Sequence, residues 1–261
     1  MANTLPRTRV AKRPALADDE LHVWRASLDL FPELLHRVEN TLNANEKERA
    51  GRFLVPQGRE RFLAGRGILR DLLGMYLEIG PGKVELSYGS QGKPSLSSVH
   101  NSKICFSVSH SRGMGLFVFA RGSEIGVDIE EVKPNFRGME IASHFFSGEE
   151  IAGLAKLPPT VVNEAFFGCW TRKEAYVKAR GKGLSIPLRS FTVSSSAKEQ
   201  SLRDEKGTVW SCYALEPAQG FSGAVVAAGE NWKLRYYDWL AEVETAAPAL
   251  LQPSDDCGGA D

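Results

Sequence analysis

Six consecutive residues, Ile125-Gly126-Val127-Asp128-Ile129-Glu130, alternate strictly between apolar and non-apolar positions. A period of two belongs to a strand with one buried face, so this segment leaves little choice of local structure. Ile125, Val127 and Ile129 are expected to face a core. Gly126, Asp128 and Glu130 then share the opposite face, expected to be wet, where the pleat sets the two carboxylates about 7 Å apart at Cα. Both can lean onto one cation. A lone Asp-x-Glu is more often just the solvated face of a strand, so the pair needs independent support.

A second segment supplies it. Between Phe166 and Arg180 the apolar residues Phe166, Trp170 and Val177 fall on one helical face, with Glu174 and Lys178 one turn apart beside it. Three carboxylates and a lysine around one point repel or misionise when alone. With magnesium and a phosphorylated ligand the same set becomes a working site.

The chain of 261 residues is long enough for one large domain or two modest ones, and its apolar fraction of 43% suffices for a real core. A formal net charge of zero gives no reason to expect a nucleic-acid partner, so attraction for an acidic ligand must come from local basic clusters. Cys105, Cys169, Cys212 and Cys257 show no zinc or redox spacing, which suits a reducing cytoplasm. The N-terminus has no apolar signal region, and no stretch approaches the ~18 apolar residues of a membrane span. Neither secretion nor membrane insertion is expected.

Residues 1–20 are expected to form a flexible leader and residues 245–261 a disordered tail, because both lack periodicity. A first subdomain is expected over 21–122 and a second, carrying the acidic strand, over 123–244. Leu21 to Ser27 reads as a strand, and Phe31 to Leu42 as a helix started near Pro32. Asn45 is a candidate N-cap for a basic helical segment, followed by a helix from Arg59 to Leu77 with Phe62, Leu69, Leu73 and Tyr76 on one face. Most of the arginines between Arg49 and Arg70 are expected on a solvated surface, and one or two pointing at phosphate would suffice for function. Val84 to Tyr88 reads as a strand leading to the Gly92-Lys93-Pro94 turn, whose lysine is expected to project into solvent by default.

Ile104 to Ser109 reads as a strand with His110 at its end. Serine beside histidine invites a hydrolase reading, but neighbours on a strand point to opposite faces and no nucleophile elbow is present, so that reading is rejected. Further on, Ile141 to Phe146 and Glu149 to Leu157 read as helical pieces, and a long helix follows from Asn163. Phe191 to Ser194, Trp210 to Leu215, Gly223 to Ala228 and Leu234 to Trp239 read as strands of a second sheet. The two halves run a similar course, each with a long helix and a Gly-Lys turn, Gly92-Lys93 and Gly181-Lys182-Gly183, which makes duplication plausible.

Three elements in order, Phe106-Ser107-Val108-Ser109-His110-Ser111, Gly126-Val127-Asp128-Ile129-Glu130 and Trp170-Thr171-Arg172-Lys173-Glu174-Ala175-Tyr176-Val177-Lys178-Ala179, resemble the signature of the 4′-phosphopantetheinyl transferases of the larger, surfactin-synthetase-activating type. Gly92-Lys93-Pro94, Phe145-Phe146-Ser147 and Gly181-Lys182-Gly183-Leu184-Ser185 also match, and Glu46-Lys47-Glu48-Arg49 resembles that family's basic N-terminal helix. The resemblance spans about residues 21 to 240. It implies an α+β fold of two similar subdomains in pseudo-twofold arrangement, with coenzyme A in the cleft between them. It also implies attack by a serine of an apo acyl or peptidyl carrier protein on the pantetheine-side phosphate of coenzyme A, releasing adenosine 3′,5′-bisphosphate.

On that resemblance Asp128, Glu130 and Glu174 would hold magnesium, Glu174 would serve as base and Lys178 would stabilise the leaving phosphate. Arg49, Arg61, Lys93 and His110, with Ser109, would bind the 3′-phosphate and adenosine part of the coenzyme, with Pro94 and Lys178 also in contact with it. A monomer is expected, as is a carrier-docking surface over Lys133 to Phe146, with Lys133 and Arg137 as cations and Phe136 and Met139 as apolar anchors or, alternatively, as cover for the core. Two rival readings are a catalytically idle binding module for coenzyme A or carrier proteins and a magnesium enzyme acting on nucleotides. The full acidic set with Lys178 speaks against the first, and the lack of a Walker-type loop against the second.

Overall fold

The structure, a computed structural model, describes residues 8–9, 14–89, 92–181, 183–196 and 198–239. In the first half, strands β1 (Thr8–Arg9) and β2 (Glu20–Ser27) precede helices α1 (Pro32–Glu39), α2 (Ala44–Gly51) and α3 (Pro56–Leu77). Then come β3 (Leu86–Tyr88), β4 (Pro94–Leu96), β5 (Ile104–Ser111) and β6 (Met114–Arg121). The second half opens with β7 (Ile125–Glu131), passes through α4 (Gly138–Phe145), α5 (Gly148–Leu154) and α6 (Pro159–Arg180), and closes with β8 (Glu199–Arg203), β9 (Val209–Leu215), β10 (Phe221–Ala228) and β11 (Lys233–Asp238).

The strands form a five-stranded sheet in the order β1-β11-β2-β6-β5, a four-stranded sheet in the order β7-β10-β9-β8, and the small β3-β4 pair. Each large sheet carries a 22-residue helix on one face. Trp24, Phe106, Phe117 and Phe119 pack with Ile68, Leu69, Leu72 and Tyr76 of α3, while Trp210, Cys212, Ala224 and Val226 pack with Ala175, Tyr176 and Ala179 of α6. The remaining faces meet each other: Leu21, Val23, Leu116 and Val118 share a core with Ile125, Val127, Ile129, Val225 and Ala227. Two similar sheet-plus-helix halves thus join through their bare sheet faces, and the α+β class follows from each sheet having two apolar faces to cover.

Several expectations are corrected. The Gly126, Asp128 and Glu130 face is not wet, because α6 lies on it. A Cβ at Gly126 would stand 2.1 Å from the Ala175 carbonyl oxygen and 2.3 Å from the Ala179 nitrogen, so only glycine permits this approach. Asn43, not Asn45, caps α2, because Glu46 three residues on completes the reciprocal capping box. Phe191 to Ser194 form no strand. Their backbone is claimed by a buried ion pair instead, with Lys173 Nζ donating to the Leu188 and Phe191 carbonyls and Glu150 accepting from Val193 N–H. The strand lies at β8, whose polar sequence hid it.

Residues 234–239 do not extend the second sheet either. β11 runs parallel to β2 in the first sheet, where Tyr237 stacks on Trp24 at 4.7 Å and Asp238 takes both Arg25 Nε and Nη2. Within the expected leader, Thr8 and Arg9 pair with Tyr237 and Asp238, and Leu16 packs on the first core. The expected tail, 245–261, lies outside the described residues, as do Lys182 and Cys257. No helix among the described residues is long and apolar enough to cross a membrane.

Candidate active site

The site forms where edge strand β5 of the first sheet meets edge strand β7 of the second. An edge strand leaves a row of backbone N–H groups unpaired, and here two of the three serines at alternate positions of β5, Ser107 and Ser111, accept from such groups of β7. Ser107 Oγ accepts from Val127 N–H at 3.1 Å, and Ser111 Oγ accepts from Glu131 N–H at 3.1 Å. Ser111 also donates to Glu130 Oε2 at 3.0 Å, and Ser109 donates to Asp128 Oδ1 at 2.8 Å. The Ser-x-Ser-x-Ser pattern is therefore a stitch between the halves that holds both strand carboxylates by their side chains.

α6 brings the cation. Lys178 Nζ reaches Asp128 Oδ1 at 2.6 Å and Ser109 Oγ at 2.9 Å, closing a triangle of lysine, aspartate and serine from three elements. Asp128 is only 4% exposed, and its second oxygen, Oδ2, is buried with no hydrogen-bond partner. Glu174, one turn before Lys178, lines the adjoining cavity. Burial and then the Asp128 charge push its carboxyl above the usual carboxylate range, against the pull of Lys178. Glu130 is raised for the same two reasons.

The three carboxylates thus feel one another, yet no three His, Cys, Asp or Glu side chains among the described residues form a ready-made metal cluster. Lys178 takes Asp128 Oδ1 instead. The all-oxygen donor set, the orphaned Oδ2 and the mutual repulsion at Glu130 and Glu174 all suit a hard divalent cation.

Two cavities flank this centre. One of about 320 Å³ is lined by Gly92, Lys93, Pro94, Ser107, Val108, Glu174, Val177, Lys178, Gly181 and Gly183. The other, of about 310 Å³, lies between α2, α3 and β5, with Arg49, Arg61, Phe62, Arg66 and His110 in its wall. Gly92, Pro94 and Val108 belong to both, so an elongated ligand can run from the basic cavity past the triangle to Glu174.

The candidate coenzyme contacts divide accordingly. Arg49 is exposed at the basic cavity, its guanidinium 5.4 Å from the Phe62 ring centroid. His110 stands at the same wall, its pKa lowered by desolvation and then by Lys178, which favours the neutral imidazole. Arg61 lines this cavity, but Asp29 fills its fork at 2.7 and 2.9 Å. Lys93 does not project into solvent: its ammonium donates to the carbonyls of Ile125 and Lys178, both at 2.8 Å, clamping the start of β7 to the end of α6. Pro94 lies at the junction of the cavities, whereas Ser109 is buried, lines neither of them and is held in the triangle.

Sequence reading missed the charges that tertiary packing buries. Arg70 is 1% exposed and donates to Glu46 Oε2 and to the Pro81 and Val84 carbonyls. Arg66 packs near Phe62 and Tyr88 in the cavity wall. The i, i+4 spacing of Phe62, Arg66 and Arg70 was the available signal, since it places all three along one side of α3.

The comparisons with known proteins agree with this architecture. A family model described as the 4′-phosphopantetheinyl transferase superfamily matches residues 124–228, and one described as 4′-phosphopantetheinyl transferase, N-terminal, matches residues 23–121. The 4′-phosphopantetheinyl transferase HetI of Nostoc sp. (strain PCC 7120) is 36% identical over 238 residues, covering 90% of this chain and all of that protein. The 4′-phosphopantetheinyl transferase Sfp of Bacillus subtilis (strain 168) is 29% identical over 201 residues, 76% of this chain and 88% of its own. The Escherichia coli (strain K12) transferase AcpT is 36% identical over 144 residues, 54% of this chain and 69% of its own. With both halves matched in order and the acidic strand, the Lys178 helix and the serine stitch at the join, the chain belongs to the 4′-phosphopantetheinyl transferase superfamily.

Proposed function

We propose that coenzyme A lies across the two joined cavities and that its 4′-phosphopantetheinyl group is transferred to the serine hydroxyl of an apo acyl or peptidyl carrier protein, beside Glu174 and Lys178. The carrying observation is that the basic and Glu174-lined cavities share Gly92, Pro94 and Val108, and that Lys178, held by Asp128 and Ser109, lines the second beside Glu174. Arg49 and His110, with Arg61 beside them, suit the nucleotide end, and Pro94 and the Lys93 clamp shape the passage. Asp128, Glu130 and Glu174 are the residues that would hold magnesium, which supplies neutralisation of the pyrophosphate charge.

In the transfer the carrier serine oxygen bonds to the pantetheine-side phosphorus and the bridging P–O bond breaks, so that adenosine 3′,5′-bisphosphate departs. Glu174 takes the serine proton, a role its raised pKa suits because a base works best near the operating pH. Lys178 faces the charge that develops on the leaving phosphate. Its hold on Asp128 and Ser109 fixes the ammonium before reaction, which limits reorganisation.

The carrier is proposed to dock beside the metal site, on Lys133 to Phe146. Phe136 covers the core rather than anchoring a partner, since it packs on Phe166 and Phe167 at 5.3 and 5.0 Å. Met139 and Phe145 are the exposed apolar groups there, at 36% and 45%. The proposed setting is a monomer in the cytoplasm. Incubation with coenzyme A, magnesium and a panel of apo carriers, followed by intact-mass measurement, tests the assignment. A phosphopantetheine mass gain on a carrier serine is expected, and its absence from every carrier would overturn it.

A further inference from the structure

One wall of the Glu174-lined cavity has no regular structure. Gly181 and Gly183 line it, and from Gly183 the chain runs to Val193 through two single 3₁₀ turns, 183–185 and 188–190, without joining a sheet. Ile186 N–H donates to the Gly183 carbonyl at 3.4 Å and Ser190 N–H to the Pro187 carbonyl at 2.9 Å. These bonds close each turn on itself and tie neither to the rest of the fold. A segment of this kind keeps its place through side chains that reach its backbone.

Lys173 reaches it from α6. Its ammonium has three donors and places all of them: on the Leu188 carbonyl at 2.7 Å, on the Phe191 carbonyl at 2.6 Å and on Glu150 Oε1 at 2.8 Å. Glu150 Oε1 also accepts from Val193 N–H, and its Oε2 from Ser147 N–H, both at 2.7 Å. The two buried side chains thus grip the segment at three backbone groups while rooted in α5 and α6. The Phe191 ring adds to the hold, 4.4 Å from the ammonium and 4.7 Å from the Tyr176 ring. An apolar pair of similar volume would stabilise a core as well as a buried ion pair does, but it could not hold three backbone groups.

Adjacent residues on a helix point about 100° apart, so one turn of α6 sends Glu174 into the cavity and Lys173 to the far end of its wall. We propose that Lys173, together with Glu150, is a positioning residue for the transfer: it fixes residues 188–193, and through them the Gly183 wall on which the phosphopantetheine arm of coenzyme A lies, so that the arm's phosphate is presented to Glu174 and Lys178. This rests on the coenzyme A reading of the cleft. The basic cavity between α2, α3 and β5 is lined by none of these wall residues. Coenzyme A should therefore depend on the wall, and adenosine 3′,5′-bisphosphate, which has no arm, should not.

The test is calorimetric titration of coenzyme A and of adenosine 3′,5′-bisphosphate, in magnesium buffer without carrier, into wild type, Lys173→Met and Glu150→Gln, beside amide hydrogen exchange read by mass. Wild type is expected to bind both ligands, coenzyme A the more tightly. Lys173→Met should weaken coenzyme A about 10-fold and leave the bisphosphate within about twofold, because binding must then order the wall, with faster exchange over 183–193 and unchanged exchange over α3. Equal losses for both ligands, no loss for either, or faster exchange throughout the chain would overturn the inference, since a brace of the fold alone gives those results. If Lys173→Met melts early, Glu150→Gln, which keeps an oxygen for Val193 N–H, decides alone: a loss confined to coenzyme A supports the assignment and any other pattern removes it. Wild type that binds neither ligand, or both alike, would overturn the coenzyme A reading of the cleft, a result distinct from failure of Lys173 alone.

Discussion

Lys178 and Asp128, fifty residues apart, share a 2.6 Å ion pair in which the aspartate is buried and the lysine remains one-third exposed. The lysine can therefore meet a phosphate without leaving its partner, whereas the aspartate cannot be removed without exposing a cation's need for one.

That asymmetry separates two neighbouring carboxylates. Asp128→Ala and Glu130→Ala should each lower transfer at least about 100-fold, since both are proposed to hold the metal. Asp128→Ala should in addition cost about 1–3 kcal/mol of stability, because Lys178 and Ser109 both lose a buried acceptor. Glu130, half-buried at the strand end, should cost less than about 1 kcal/mol. Chemical denaturation beside a mass-based transfer assay checks both, and full activity in either variant would sink the metal assignment.

The raised carboxyl of Glu174 gives a pH signature in metal-free protein. An acid whose folded pKa lies above its ordinary 4.5 binds its proton more tightly when folded, so its contribution to stability falls as pH rises from 4.5 through the folded value. Glu174→Gln should therefore raise the melting temperature in chelator at pH 7, and the gain should shrink toward pH 4. A constant difference across that range would mean that burial and the Asp128 charge do not raise the Glu174 carboxyl.

Lys93 and His110 should part company. His110→Ala removes a contact proposed to lie away from the reacting phosphorus, so the Michaelis constant for coenzyme A should rise about 3- to 10-fold with turnover nearly unchanged. Lys93→Ala strips a side-chain donor from both the Ile125 and Lys178 carbonyls, and should lower stability by about 1–3 kcal/mol. Melting curves and steady-state kinetics on both variants would show a shared profile if Lys93 served the coenzyme alone.

Arg137 offers the cleanest probe of carrier docking. It is 80% exposed and pairs only loosely with Glu140, so Arg137→Glu should not disturb the fold. Transfer to the carrier should slow about 3- to 10-fold at low salt, the effect fading at high salt, while coenzyme A affinity stays constant. Unchanged rates with every carrier tested would place docking elsewhere, toward the Arg66 side of the cleft.

Sequence alone determined the elements whose information is one-dimensional. Alternation put Ile125, Val127 and Ile129 inward, Pro32 started α1, and Gly181 closed α6, because apolar period and terminal residues are written locally. The motif residues Asp128, Glu130, Glu174 and Lys178 were legible for the same reason, as a spaced pattern. Tertiary structure alone decided which charges are free. Arg70 and Lys173 vanish into buried pairs with Glu46 and Glu150, Lys93 clamps two carbonyls, Arg66 stays unpaired at Nη1, and β11 leaves its expected sheet to stack Tyr237 on Trp24. A charge's partner and a strand's neighbour depend on groups tens to hundreds of residues away, and local periodicity carries no record of them.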